Sequence, residues 1–153
     1  MPLLAATLAQ GLMAMQNQPP RSATDTAERL TAAYLQYARA GLANGVPPVF
    51  TGAERSRMTK ALLPALMTPQ GGSLPALANA LATSLLAFWT GVLFGVGTFT
   101  LLSTPVCSSC LLASCQGALP AARAARAIAR CVDQATKTAV ITFPPPVGPV
   151  LLI

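Results

Sequence analysis

Leu77, Leu81, Leu85 and Phe88 step by four, four and three residues. That spacing lines one face of an α-helix with apolar side chains. Ser73 supplies an N-cap hydroxyl, and Pro75 falls in the first turn, where its missing N–H is tolerated. The stripe predicts a helix ending near Trp89-Thr90-Gly91. Leu30, Ala33, Tyr34, Tyr37 and Ala38 repeat the pattern and predict a helix over Thr24–Ala43. Asp25 and Glu28 read as its capping box, and Asn44-Gly45 as its stop. Thr51 with Glu54 predicts a third start, followed by Met58, Ala61, Leu62 and Ala65, with Pro64 expected to kink or shorten it. Two further helices are expected. One is the apolar run Pro2–Met15, ended by Asn17-Gln18-Pro19-Pro20. The other is the alanine-rich stretch from Pro120 through Ala135, where helix propensity is high.

The remaining chain lacks a 3.6-residue period. Thr68-Pro69-Gln70-Gly71-Gly72 reads as a loop. From Gly91 to Val106, glycines punctuate residues that favour extended structure. A glycine-broken loop, a strand and the second half of a membrane helix all fit that segment. Thr138–Phe143, TAVITF, is β-like and is stopped by three prolines. The expected fold is therefore mainly α: a small helical domain of about four to five helices, a glycine-rich irregular segment and a short C-terminal β-like strand. Residues 1–20 form an apolar helix or arm, 21–143 the helical domain, and 144–153 a proline-rich apolar tail. No basic residue precedes the first apolar run and no Ala-x-Ala pattern follows it, so that helix is expected to stay on the chain.

Charge changes this picture. No charged residue occurs between Lys60 and Arg123, a run of 62 positions. The chain is 53% hydrophobic and 9% charged, where a soluble domain carries about a quarter charged residues. Lipid or another protein surface must cover such a segment. Leu85–Ser103, nineteen residues, is long enough to cross ~30 Å of hydrocarbon at ~1.5 Å per residue. Glycines and threonines interrupt it, however. The flanks do not orient it either: six basic residues precede the run and four follow, with a net charge of +3 on each side. Burial against protein is the first reading of the run. One or two transmembrane helices around 74–106, with a break near Gly95-Val96-Gly97, is the alternative, and only there does a membrane become a partner.

Candidate chemistry is sparse. There is no histidine, which removes His-based proton transfer, the usual Ser-His and Cys-His nucleophiles, and His metal sites. Of four carboxylates, Asp25, Glu28 and Glu54 sit at helix starts rather than as a free pair. An enzyme is not expected, and neither is a cofactor. Cys107, Cys110, Cys115 and Cys131 are spaced C-x2-C-x4-C-x15-C, which does not match a zinc ribbon. Buried thiols or one or two disulfides fit, and a disulfide from any of the first three to Cys131 would tie the loop to the last helix. Arg123, Arg126 and Arg130 fall at steps of three and four along that helix and form a basic stripe. No aromatic residue is interleaved with the stripe, so stacking on single-stranded nucleic acid has no support, and an acidic protein surface is the expected partner.

Two stretches carry a resemblance. Val49-Phe50-Thr51-Gly52-Ala53-Glu54 leads to Ala80–Trp89 and its Phe88-Trp89-Thr90-Gly91-Val92 end. The closing Asp133–Pro146, DQATKTAVITFPPP, follows an Ala/Arg-rich helix. Together they resemble small uncharacterised virion structural proteins of tailed bacteriophages. The resemblance implies a non-enzymatic part of a tail, neck, baseplate or capsid, located in the virion. The cysteine cluster has no place in that pattern. The chain is then expected to pack on other subunits of one assembly through its charge-free middle and apolar ends, with Leu77, Leu81, Leu85, Phe88, Trp89, Phe94 and Phe99 as the packing residues.

Overall fold

A computed structural model describes residues 3–68, 73–117 and 119–153. The loop expected at 69–72 and the Pro2 start of the first helix lie outside them. The chain is mainly helical. In order it forms α1 (Ala5–Asn17), α2 (Ala23–Ala38), α3 (Ala53–Leu66), α4 (Leu74–Trp89), β1 (Leu93–Phe94), β2 (Gly97–Leu101), α5 (Thr104–Ser114), α6 (Ala121–Thr136), β3 (Val140–Thr142) and β4 (Pro149–Leu151). Each helix packs on the next, and α6 returns to α1 and closes the ring. The four strands form one antiparallel sheet in the order β1-β2-β3-β4, with α5 and α6 inserted between β2 and β3.

Helix starts follow local chemistry. The Ser73 hydroxyl accepts the Ala76 N–H at 3.3 Å, as the sequence predicts for α4. The α2 start differs from expectation: its N-cap is Ser22, not Asp25. The Ser22 hydroxyl accepts the Asp25 N–H at 3.1 Å, and the Asp25 carboxylate accepts the Arg21 N–H at 2.9 Å. The reciprocal box thus lies three residues earlier than predicted, since serine caps as well as aspartate and lets the first turn begin sooner. At α3 the Glu54 carboxylate does reach back, to the N–H groups of Gly52 at 2.6 Å and Thr51 at 3.2 Å. That helix ends two residues past Pro64.

Asn44-Gly45 does not stop a helix, because α2 has already ended at Ala38. The pair forms a two-residue hairpin turn. Both residues have positive φ (50° and 76°), and Ala43 and Val46 exchange N–H···O bonds of 2.9 Å. Asn-Gly is the commonest sequence for such a turn, because both central positions need φ above zero.

The centre of the ring is aromatic. Tyr34, Tyr37, Phe88, Trp89 and Phe94 are all fully buried. Phe88 meets Tyr34 edge-on at 4.8 Å and Trp89 edge-on at 5.3 Å. A polar chain runs through this cluster. The Trp89 Nε1–H donates to the Tyr34 hydroxyl at 2.7 Å. Tyr34 and Thr136 hydroxyls lie 2.8 Å apart, and Thr136 donates to the Val132 carbonyl at 2.8 Å. Since the Thr136 proton is committed to Val132, Tyr34 must donate to Thr136. Tyr37 donates to Asp133 at 2.7 Å, and Lys137 closes that branch at 2.9 Å. The network links α2, α4 and α6. Among the described residues no buried side-chain polar atom lacks a partner.

The glycine-rich segment is therefore neither irregular nor a second half-helix. The chain leaves α4 at Trp89, turns at Gly91 (φ 82°), and forms the β1–β2 hairpin through Gly95 (φ 62°). Glycine permits these left-handed turns where most residues would be strained. Leu85–Ser103 is thus a helix end and a hairpin, and among the described residues no helix is long and apolar enough to cross a membrane. The structure also has α5, where only a cysteine-bearing loop was expected, so there are six helices among the described residues. The 144–153 tail supplies β4, and Ile153 exchanges backbone hydrogen bonds with Leu42.

Candidate functional site

Six of the seven expected packing residues join the chain's own core or pack against it, and Leu77 stands outside it. Leu85, Phe88, Trp89 and Phe94 are fully buried, and Leu77, Leu81 and Phe99 are half-buried. The charge-free run therefore supplies much of the interior of one ring, which removes those four side chains as contacts for a neighbour. The buried stripe of α4 is Ala78, Ala82, Leu85, Phe88 and Trp89, with Leu77 and Leu81 at its flank. Small alanines let the adjacent helices approach, so the true stripe is less apolar in sequence than its leucine neighbour.

What the fold leaves exposed is the outer face of the sheet. Strand register sets the two faces. Phe94 opposite Gly97, and Phe99 opposite Ile141 opposite Val150, point inward. Gly97 is required there, since a Cβ would lie 2.7 Å from the Phe143 ring and 3.0 Å from Ile141. Leu93, Thr98, Thr142 and Pro149 form one outward row, extended by Val49 through its bridge to Leu93. Leu101, Val140 and Leu151 form a second row. Val49, Leu93, Leu101 and Leu151 are 56%, 49%, 53% and 57% exposed. No residue of the four strands is charged. This face escaped the sequence reading except as a β-prone segment. The available signal was the period-two alternation Thr98-Phe99-Thr100.

The basic stripe lies where expected. Arg123, Arg126 and Arg130 are all exposed on α6, whose opposite side buries Ala125, Ala129, Val132 and Ala135. They wall a hollow of about 390 Å³ floored by Ser114, Leu119 and Ala127. Arg126 also borders a second hollow of about 270 Å³, lined by Ala5, Ala6, Ala9, Gln10 and Met13. The ion pairs among the described residues, Asp25–Arg29 and Asp133–Lys137, use none of the three arginines.

Cys110 and Cys131 form a disulfide that joins α5 to α6, which selects one of the three pairings left open by spacing. Cys107 is buried and free, and desolvation pushes its thiol up to about 12. Cys115 is also free, and burial raises its pKa too. Both therefore remain protonated thiols at neutral pH, poor nucleophiles and poor metal ligands. Among the described residues, no three His, Cys, Asp or Glu side chains converge as a metal site would require.

Three of the four carboxylates, Asp25, Glu54 and Asp133, are occupied structurally. Hydrogen bonding from the Arg21 N–H, aided by Arg29, holds Asp25 below the usual range. Burial pushes Glu54 up, but backbone N–H groups of Glu54, Gly52 and Thr51 outweigh it, and the net shift is downward. Burial raises both Tyr34 and Tyr37 far above the ordinary tyrosine value, and Asp133 adds to the shift at Tyr37. No family model, curated protein or solved structure matches the chain.

Proposed function

We propose that this chain is a non-enzymatic structural subunit of a large protein assembly. Its resemblance to small virion structural proteins points to a tailed-bacteriophage particle. The observation that carries the assembly reading is the uncharged outer sheet face, where Val49, Leu93, Leu101 and Leu151 stand about half exposed around a threonine row. Exposed apolar side chains gathered on one uncharged face usually mark a protein interface. It carries no charge, so the complementary surface is an uncharged face of a neighbouring subunit. The sheet edge guards against open-ended growth: Pro149 has no N–H to donate, and the edge strands are two and three residues long.

Fractionation tests the proposal. The chain is expected to travel with high-mass, lipid-free particles and to leave membranes on carbonate washing. Retention in the membrane fraction after that wash, with release only by detergent, would replace this reading with the integral-membrane one.

A further inference from the structure

The arginines of α6 form a groove rather than a solvated row. Arg123 and Arg130 are separated by about 10 Å along the helix, at ~1.5 Å per residue. Arg126 lies between them and faces two hollows at once, one walled by guanidinium groups and one lined by Ala5, Ala9 and Met13 of α1. We propose that this double groove binds an acidic segment of another protein, with carboxylates on Arg123, Arg126 and Arg130 and an apolar side chain seated against α1. The proposal deepens the assembly reading and rests on it.

Charge complementarity identifies the occupant. Three guanidinium groups stand together without an acidic partner among the described residues. Three of the four carboxylates of the chain are engaged elsewhere: Asp25 with Arg29, Glu54 with backbone N–H groups, and Asp133 with Tyr37 and Lys137. The fourth, Glu28, is exposed on α2 and forms no ion pair with these arginines among the described residues, so the three guanidinium groups are free to meet carboxylates of a partner. Guanidinium forks match carboxylates in bidentate geometry. The second hollow favours a peptide over a nucleic acid. A sugar-phosphate backbone projects no apolar side chain to fill an alanine- and methionine-lined recess, and among the described residues no aromatic side chain borders either hollow for base stacking.

The test uses the full chain and a fluorescein-labelled hexapeptide of four glutamates and two leucines, followed by anisotropy. A second hexapeptide carries serines for the leucines, and a short DNA duplex serves as competitor. Saturable binding is expected, weakened at least tenfold in R126Q/R130Q and severalfold by the leucine-to-serine change, with the duplex competing poorly. Circular dichroism of the variant checks that it is folded, which is expected because both arginines are exposed. Absence of saturable binding, equal binding by folded R126Q/R130Q, equal binding of both hexapeptides, or tighter binding of the duplex would each overturn the proposal. Failure of the assembly reading is seen separately, in whether the chain joins particles.

Discussion

Tyr34 joins three helices through one hydroxyl. Its hydroxyl accepts from Trp89 and donates to Thr136 at the centre of the ring. Tyr34→Phe keeps the ring packing but strands a buried indole N–H, and is expected to cost about 1–3 kcal/mol in chemical denaturation. The same burial sets the alkaline limit. Tyr34 and Tyr37 have folded pKa values raised above the ordinary 10. The unfolded chain therefore ionises first, and the stability present below pH 10 is lost as pH rises above it. The slope is about 1.4 kcal/mol per pH unit for each tyrosine. Tyrosinate absorbance should appear only together with loss of helical circular dichroism. A tyrosinate signal that rises while the fold persists would contradict this. At the acid end Glu54 has the opposite sign. Its folded pKa lies below the ordinary glutamate value of 4.5, so its contribution is present above that pH and is lost as pH falls through the folded value. Glu54→Gln should destabilise by about 1 kcal/mol at neutral pH and flatten the acid limb of the stability curve.

At the level of elements, the Cys110–Cys131 link closes a loop across the α5–α6 connection, with a sequence separation of 21. Constraining the unfolded chain over such a loop is worth about 3 kcal/mol. Reduction, or Cys131→Ser, should lower Tm by roughly 6–12 °C in a domain of this size. An unchanged Tm would show that packing alone holds α5. Gly97→Ala pushes a methyl against Phe143 and Ile141, and should cost about 1–3 kcal/mol and distort the β1–β2 hairpin. The elements also show what a sequence makes legible. The Ser73 start of α4, the Ala121–Thr136 helix and the β-prone 138–143 stretch were plain, because caps, alanine content and proline stops act locally. The helix at Thr104–Ser114 was hidden, since its serines and cysteines have no strong propensity and it is held by α4 and α6. Asn44-Gly45 was misassigned because one dipeptide serves both helix stops and hairpin turns, and only the partner strand decides. The sheet face was invisible for the same reason: it exists only once β2 meets β3 across about forty residues of intervening chain.

For the whole molecule, the charge-free run divides into two parts. One part, through Phe88, Trp89 and Phe94, joins the aromatic core of a closed ring, and the other supplies β1 and β2, half of the sheet with the uncharged outer face. The first part accounts for the hydrophobicity without lipid, and the second is surface that a neighbour can cover. The Arg123–Arg130 groove lies on α6, apart in sequence from the strands of the uncharged face. Leu101 and Leu151 flank Val140 in one outward row. Their half-exposed side chains can become lysines at little cost to the monomer, but two ammonium groups cannot be buried in an uncharged interface. The most direct measurement is therefore incorporation of L101K/L151K, beside the unaltered chain, into high-mass particles. The unaltered chain should sediment with the particles, while the variant, with unchanged circular dichroism, stays in the low-mass fraction. A folded variant that enters particles as well as the unaltered chain would contradict the account.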